Sequence, residues 1–166
     1  MAEIKNNATD AAQLAVRIEI LEKVAGKGMV SHGPLKLNAE RGIARTHVSF
    51  WVGDHEIFRN EVLMHKMSVK TWTEEISALI EGRLGPREVN FGLESPELLM
   101  TARRSRPMMA GGHPFYELLV VLDAGSFDAG GGISGEGPAM LLTPKAEVLK
   151  QFSMDLLREV EEIVQD

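Results

Sequence analysis

The sequence predicts an α+β protein in which a mostly antiparallel sheet carries one mid-chain helix and a long C-terminal helix packed on it. Two observations carry this expectation. Short segments with apolar residues at alternate positions follow one another through turns rich in glycine and proline, as strands of an antiparallel sheet do. The spacing of three and four residues that marks an amphipathic helix occurs in only two places, after Thr71 and after Thr143. With 166 residues, the chain has about one domain's length and enough surface to bury a core without staples. A single domain over residues 1–166 is expected, with a short disordered N-terminus of about residues 1–10.

Taken in order, AAQLAVRIEILEKV (11–24) mixes signals. Leu14, Val16, Ile18 and Ile20 alternate as in a strand, whereas the alanines and glutamates favour helix. A strand from Leu14 onward is the reading adopted. Residues 25–42, with glycines, a proline and no sustained period, read as a long loop or a short irregular strand. In residues 44–65, Val48, Phe50 and Val52 alternate with His47, Ser49 and Trp51, the chain turns at Gly53-Asp54, and it returns through Ile57 to Val62 and Met64, which makes a hairpin.

Thr71 and Glu74 have the spacing of a capping box, and Trp72, Ile76, Leu79 and Ile80 share one helical face behind it. Gly82 or Gly85, with Pro86 following, ends that helix. Val89, Phe91 and Leu93 then mark one short strand, and Leu98, Met100 and Ala102 mark another after the Ser95-Pro96 break. FYELLVVLDAG is apolar nearly throughout and reads as a central strand. The last helix is expected to start with Thr143 as N-cap and Pro144 in the first turn, and to bury Leu149, Phe152, Leu156, Val160 and Ile163.

Composition narrows the chemistry. The chain has no cysteine, so disulfides, thiolate zinc sites, iron–sulfur clusters and cysteine nucleophiles are excluded. Its N-terminus lacks the basic start and apolar run of a signal peptide, and no uncharged run is long enough to span a bilayer, so a cytoplasmic location without membrane contact is expected. The net charge of −6 is uneven: residues 71–100 carry −4 and residues 143–166 carry −3. That balance disfavours nucleic acid, which requires a basic face, and suits steering toward a basic partner.

The segment FDAGGGISGEG (127–137) holds Gly130-x-Gly132-x-x-Gly135, the spacing of a dinucleotide loop. Such a loop needs a helix directly behind it, and here Pro138 and a short apolar strand follow instead. A glycine-rich, ligand-free connection between strands over residues 125–137 is the expectation, with a small enzyme or ligand-binding domain using that loop kept as an alternative.

Ser134 lacks the second glycine of a nucleophile elbow, since Glu136 stands in its place. The five histidines show no metal-ligand spacing. No catalytic, cofactor or metal residue is assigned and no cofactor is expected. What remains suits contact with a protein: acidic Glu74, Glu75, Glu94 and Glu97, the planar guanidinium groups of Arg103 and Arg104, and Trp51, which faces away from Phe50 and is either covered or an exposed anchor.

The run TWTEEISALI, followed by the break NFGLESPELLMTA, resembles the WapI type of small bacterial immunity protein. Phe91, Glu94, Pro96 and Leu98 fall on its pattern, over roughly residues 44–166. Ser95 separates Glu94 from Pro96, where the family tends to have the two adjacent. The resemblance implies an α+β protein that binds and neutralises a toxin domain without chemistry of its own. A phage-type or structural assembly subunit is the other alternative.

Overall fold

A computed structural model describes residues 1–6, 13–24, 29–32, 35–38, 42–83, 88–91, 97–105, 114–122 and 137–164. The fold is α+β. Four strands, β1 (Ala2–Lys5), β2 (Leu14–Lys23), β5 (Ile43–Val52) and β6 (His55–His65), form an antiparallel sheet in the order β1-β2-β5-β6. A separate two-stranded hairpin of β3 (Met29–His32) and β4 (Leu35–Asn38) interrupts the passage from β2 to β5. Helix α1 (Lys66–Ile80) follows. A second antiparallel sheet, ordered β10-β9-β8-β7, is built from β7 (Glu88–Phe91), β8 (Leu98–Ser105), β9 (Phe115–Leu122) and β10 (Ala139–Leu142). Helix α2 (Ala146–Ile163) closes the order.

Period-two alternation explains both sheets. Val16, Ile18, Val48, Phe50, Val62 and Met64 turn one face of the first sheet into the core. Val89, Phe91, Met100, Leu118, Val120 and Met140 do the same for the second. The apolar faces of the two helices complete one continuous hydrophobic cluster, in which Trp72 of α1 meets Phe91 and Phe152 edge-on at centroid distances of 5.9 and 6.3 Å. Edge-to-face rings of this kind stabilise beyond the area they bury.

Several expectations are corrected. The N-terminus is not disordered over residues 1–6: β1 pairs with β2, and Ala2 and Ile4 are buried. Two alternating apolar residues in a four-residue strand are too few to give a periodic signal; residues 7–12 lie outside the described residues. Of the two readings of residues 25–42, the long loop is replaced by two short paired strands, where a single irregular one was the alternative.

Helix α1 starts at Lys66, before the expected capping box, because β6 runs straight into it. The His65 Nδ1 atom caps it by accepting from the Met67 amide at 3.1 Å, and Thr71 lies inside the helix. Its end is at Gly82, one of the two glycines expected to end it, at φ 71°. There the Arg83 amide donates to the Ala78 carbonyl and the Gly82 amide to the Leu79 carbonyl, the reverse-turn cap that glycine permits.

At α2, Thr143 is not the N-cap. Its amide and hydroxyl both donate to Asn6 Oδ1, at 3.1 and 2.7 Å, tying the end of β10 to the end of β1. Helix α2 begins instead after Lys145, without a side-chain cap. Ile163 is exposed and Val164 takes its place in the core, because the buried stripe continues four residues on from Val160.

Other expectations hold. Leu14 opens β2, residues 43–65 form the hairpin, and β9 lies inside its sheet. The glycine-rich stretch joins β9 to its antiparallel neighbour β10, strand to strand. Residues 123–136, and Leu93 with the 92–96 break, lie outside the described residues.

Candidate interaction surfaces

Each sheet has a second face, turned away from the core, and the two differ in kind. On the first sheet the register aligns Glu3, Arg17, Ser49 and Arg59 in one row, and Glu19, His47 and Glu61 in another. Ion pairs knit these rows: Arg17 to Glu3 at 2.7 Å, Lys5 to Glu3 at 3.2 Å, Arg45 to Glu22 and to Glu61 at 3.3 Å each, and Arg59 to Glu56 at 2.6 Å. Glu3 titrates below its ordinary value. Burial is the largest single influence and pushes it up, but hydrogen bonds and positive charge from Arg17 and Lys5 together outweigh it.

Trp51 lies on this charged face and is half-buried. Its indole N–H donates to Ser49 Oγ at 2.8 Å, and the Arg17 guanidinium sits over the ring, 3.8 Å from its centroid. Ala15, its register partner on β2, is only 2% exposed. The tryptophan therefore covers its own sheet, and Arg17 covers the tryptophan. Sequence reasoning missed Arg17. The signal was its place one strand over and two residues along from Trp51's partner, which only a known register reveals.

The outer face of the second sheet is apolar toward β10 and polar toward β7, where Asn90 extends the Thr101 row. Leu99, Val121 and Ala139 form one row, and Thr101, Leu119 and Leu141 the next. Leu141 is 51% exposed, and Phe115, two rows further along, is 41% exposed. A charged row of Glu88, Arg103 and Glu117 lies between. These apolar residues were missed as well. The run LLVVL is apolar at both parities, which reads as a strand covered on both faces; Leu118, Val120, Val121 and Leu122 are buried and Leu119 is half-buried.

The residues singled out from the sequence do not converge on one spot. Glu74 is exposed and Glu75 half-buried on α1, while Glu97 is half-buried in the turn entering β8. Glu94 lies outside the described residues. Arg103 is exposed and donates to Glu88 at 2.6 Å. Arg104 points the other way, toward the C-terminal end of α1: a Cβ added to Gly82 would stand 2.6 Å from its Nη1. A guanidinium at that end of a helix complements the exposed carbonyls. Strand alternation thus splits the adjacent arginines into two tasks.

His65 is a helix cap and His47 lies 3.7 Å from Glu61; His113 is outside the described residues. Among the described residues no group of three or more histidines and carboxylates is placed to hold a metal ion, and no helix is long and apolar enough to cross a membrane. Compared with known proteins, the chain matches no protein-family model and no curated sequence.

Proposed function

We propose that the chain is a non-catalytic binding protein of the immunity type, which neutralises a basic toxin domain by covering it. The observation that carries the reading is the outer face of the second sheet, where Leu141 and Phe115 are exposed on neighbouring strands and Leu119 is half-buried beside Leu141. Large apolar side chains exposed on one sheet face, with charged residues among them, suit contact with another protein. Charge supports the basic character of the partner, since the acidic excess is concentrated in residues 71–100 and 143–166, the second of which contains all of α2, while α1 itself balances Glu74 and Glu75 with Lys66 and Lys70. The likeness to WapI-type proteins points in the same direction. In this reading the apolar residues supply affinity, and the acidic α2 together with the glutamates of residues 71–100 supplies the rate of encounter.

The test titrates the purified protein with a basic toxin domain recovered by pull-down from the source cell. Association is expected to slow as salt rises through about 0.1 M, where the Debye length is roughly 10 Å, while dissociation changes less. Charge reversal at Glu74, Glu75, Glu94 and Glu97 should reproduce that slowing at low salt. An association rate indifferent to both salt and the reversals defeats the electrostatic part. Turnover of a substrate by the purified chain defeats the non-catalytic reading itself.

A further inference from the structure

The chain contains the same unit twice. Each half is an antiparallel meander of four strands followed by one helix, the first carrying the β3–β4 hairpin as an insertion. The helices also correspond residue by residue at a constant offset of 80. Val69, Trp72, Thr73, Ile76 and Ile80 of α1 fall on Leu149, Phe152, Ser153, Leu156 and Val160 of α2. Every one of these is buried except Ile80, which is partly buried and packed on the core.

The packing is reciprocal. Helix α1 lies against β7 and β8, the first two strands of the second half, and α2 lies against β1 and β2, the first two strands of the first. The helices meet at equivalent residues: Thr73 Oγ1 is 2.9 Å from the Val69 carbonyl oxygen and 3.0 Å from that of Ser153. Trp72 and Phe152, also equivalent, touch edge-on. Contact between equivalent positions is what a two-fold relation produces at its axis, as in an isologous dimer.

We infer that the two ββββα halves are joined by a dimer-type interface, each half being the partner the other fits, so that the seam holds without the covalent link between them. The physical reason is the exchange of helices. A half standing alone exposes the inner face of its sheet where the other half's helix belongs, and at about 80 residues it has little core to spare. Cutting the connection removes only the local concentration that the link provides, which is of millimolar order for a short linker. At micromolar protein the joined state should weaken by about a thousandfold relative to separated halves, which a large apolar seam withstands. This inference concerns the fold's assembly and is independent of the function proposed above.

The experiment inserts a protease recognition sequence between Arg83 and Glu88 in the full chain and cleaves the folded protein. The two fragments are expected to co-elute at the size of the intact chain. Their melting temperature should rise with protein concentration after cleavage and not before. Trp72→Ala in the cleavable chain should release the fragments, whereas Arg59→Gln, on the outer face of the first sheet, should not. Fragments that separate at micromolar concentration, each with its own cooperative melt, overturn the inference. So does a cleaved sample whose melt ignores concentration.

Discussion

The first and second sheets share a meander order and a following helix, yet their outer faces differ, one a lattice of ion pairs around Trp51 and the other holding leucines and Phe115 on either side of a single charged row. Their inner faces do not differ in this way; both are filled with aliphatic and aromatic side chains from alternate positions. The comparison separates two pressures on one architecture. The inner faces answer to a shared core, where a polar group without a partner is costly. The outer faces answer to whatever lies beyond the molecule, so their divergence is a statement about surroundings rather than about folding.

The largest expected effect tests whether the halves are alike inside. Trp72→Ala and Phe152→Ala remove equivalent rings from the two helices, and each should destabilise by about 3–5 kcal/mol in denaturant titration. Because the rings touch, the double variant should fall short of the sum by roughly 0.5–3 kcal/mol. Full additivity, or a loss under about 1 kcal/mol from either ring, would break the equivalence drawn between the helices.

A smaller effect distinguishes the places where the halves lock. Gly42 has φ 79°, and a Cβ there would stand 2.5 Å from Val164 Cγ1, a short branched side chain with nowhere to swing. Gly82 has φ 71°, but its Cβ would meet the far end of the flexible Arg104. Gly42→Ala should therefore lose about 2–3 kcal/mol and Gly82→Ala about 1 kcal/mol, mostly backbone strain. Equal melting temperatures for the two variants would show that the C-terminal end of α2 does not seal the first half.

How much of this was legible in the sequence follows from which signals are local. Alternation in Val48, Phe50 and Val52, and the three-and-four spacing of Leu149, Phe152, Leu156 and Val160, are properties of a single element, and they located strands and helices. Helix starts were misplaced because capping is a competition between nearby groups. Thr143 gives its hydrogen bonds to Asn6, 137 residues away, and no local pattern reports that. Register is likewise non-local, so neither the seating of Arg17 on Trp51 nor the apolar rows of the second sheet was readable, although every residue in them was visible. The repeat was there to be found, in V-x-x-W-T-x-x-I against L-x-x-F-S-x-x-L, but conservative replacement hides it from any comparison of letters.

The ion-paired face should respond to acid where the apolar face does not. Glu3 titrates lower when folded than its ordinary 4.5, so its ionised form favours the fold. That contribution is complete above the ordinary value and is lost as pH falls through the lowered one. Its size is of order 0–1 kcal/mol, as for partly exposed pairs. Stability measured from pH 6 down to 3 should therefore drop less steeply in Glu3→Gln than in the parent, while Leu141→Gln should keep the parent's slope. Parallel curves for Glu3→Gln and the parent would place the acid response elsewhere.

The smallest effect on folding is expected where the effect on function is greatest. Leu141 and Phe115 are exposed enough that replacing either with glutamine should change stability by no more than about 0.5 kcal/mol, as for surface positions generally. If the second sheet is the docking face, the same two substitutions should weaken a toxin-domain complex by at least tenfold each, about 1.4 kcal/mol, chiefly by faster dissociation. Arg59→Gln, on the other outer face, should leave both quantities near the parent's. The sharp outcome is the dissociation between the two measurements: unchanged melting with lost binding on one sheet only. If Leu141→Gln instead binds as the parent does and Arg59→Gln does not, the contact lies on the charged sheet, and the apolar rows have to be accounted for by whatever shields them within the chain.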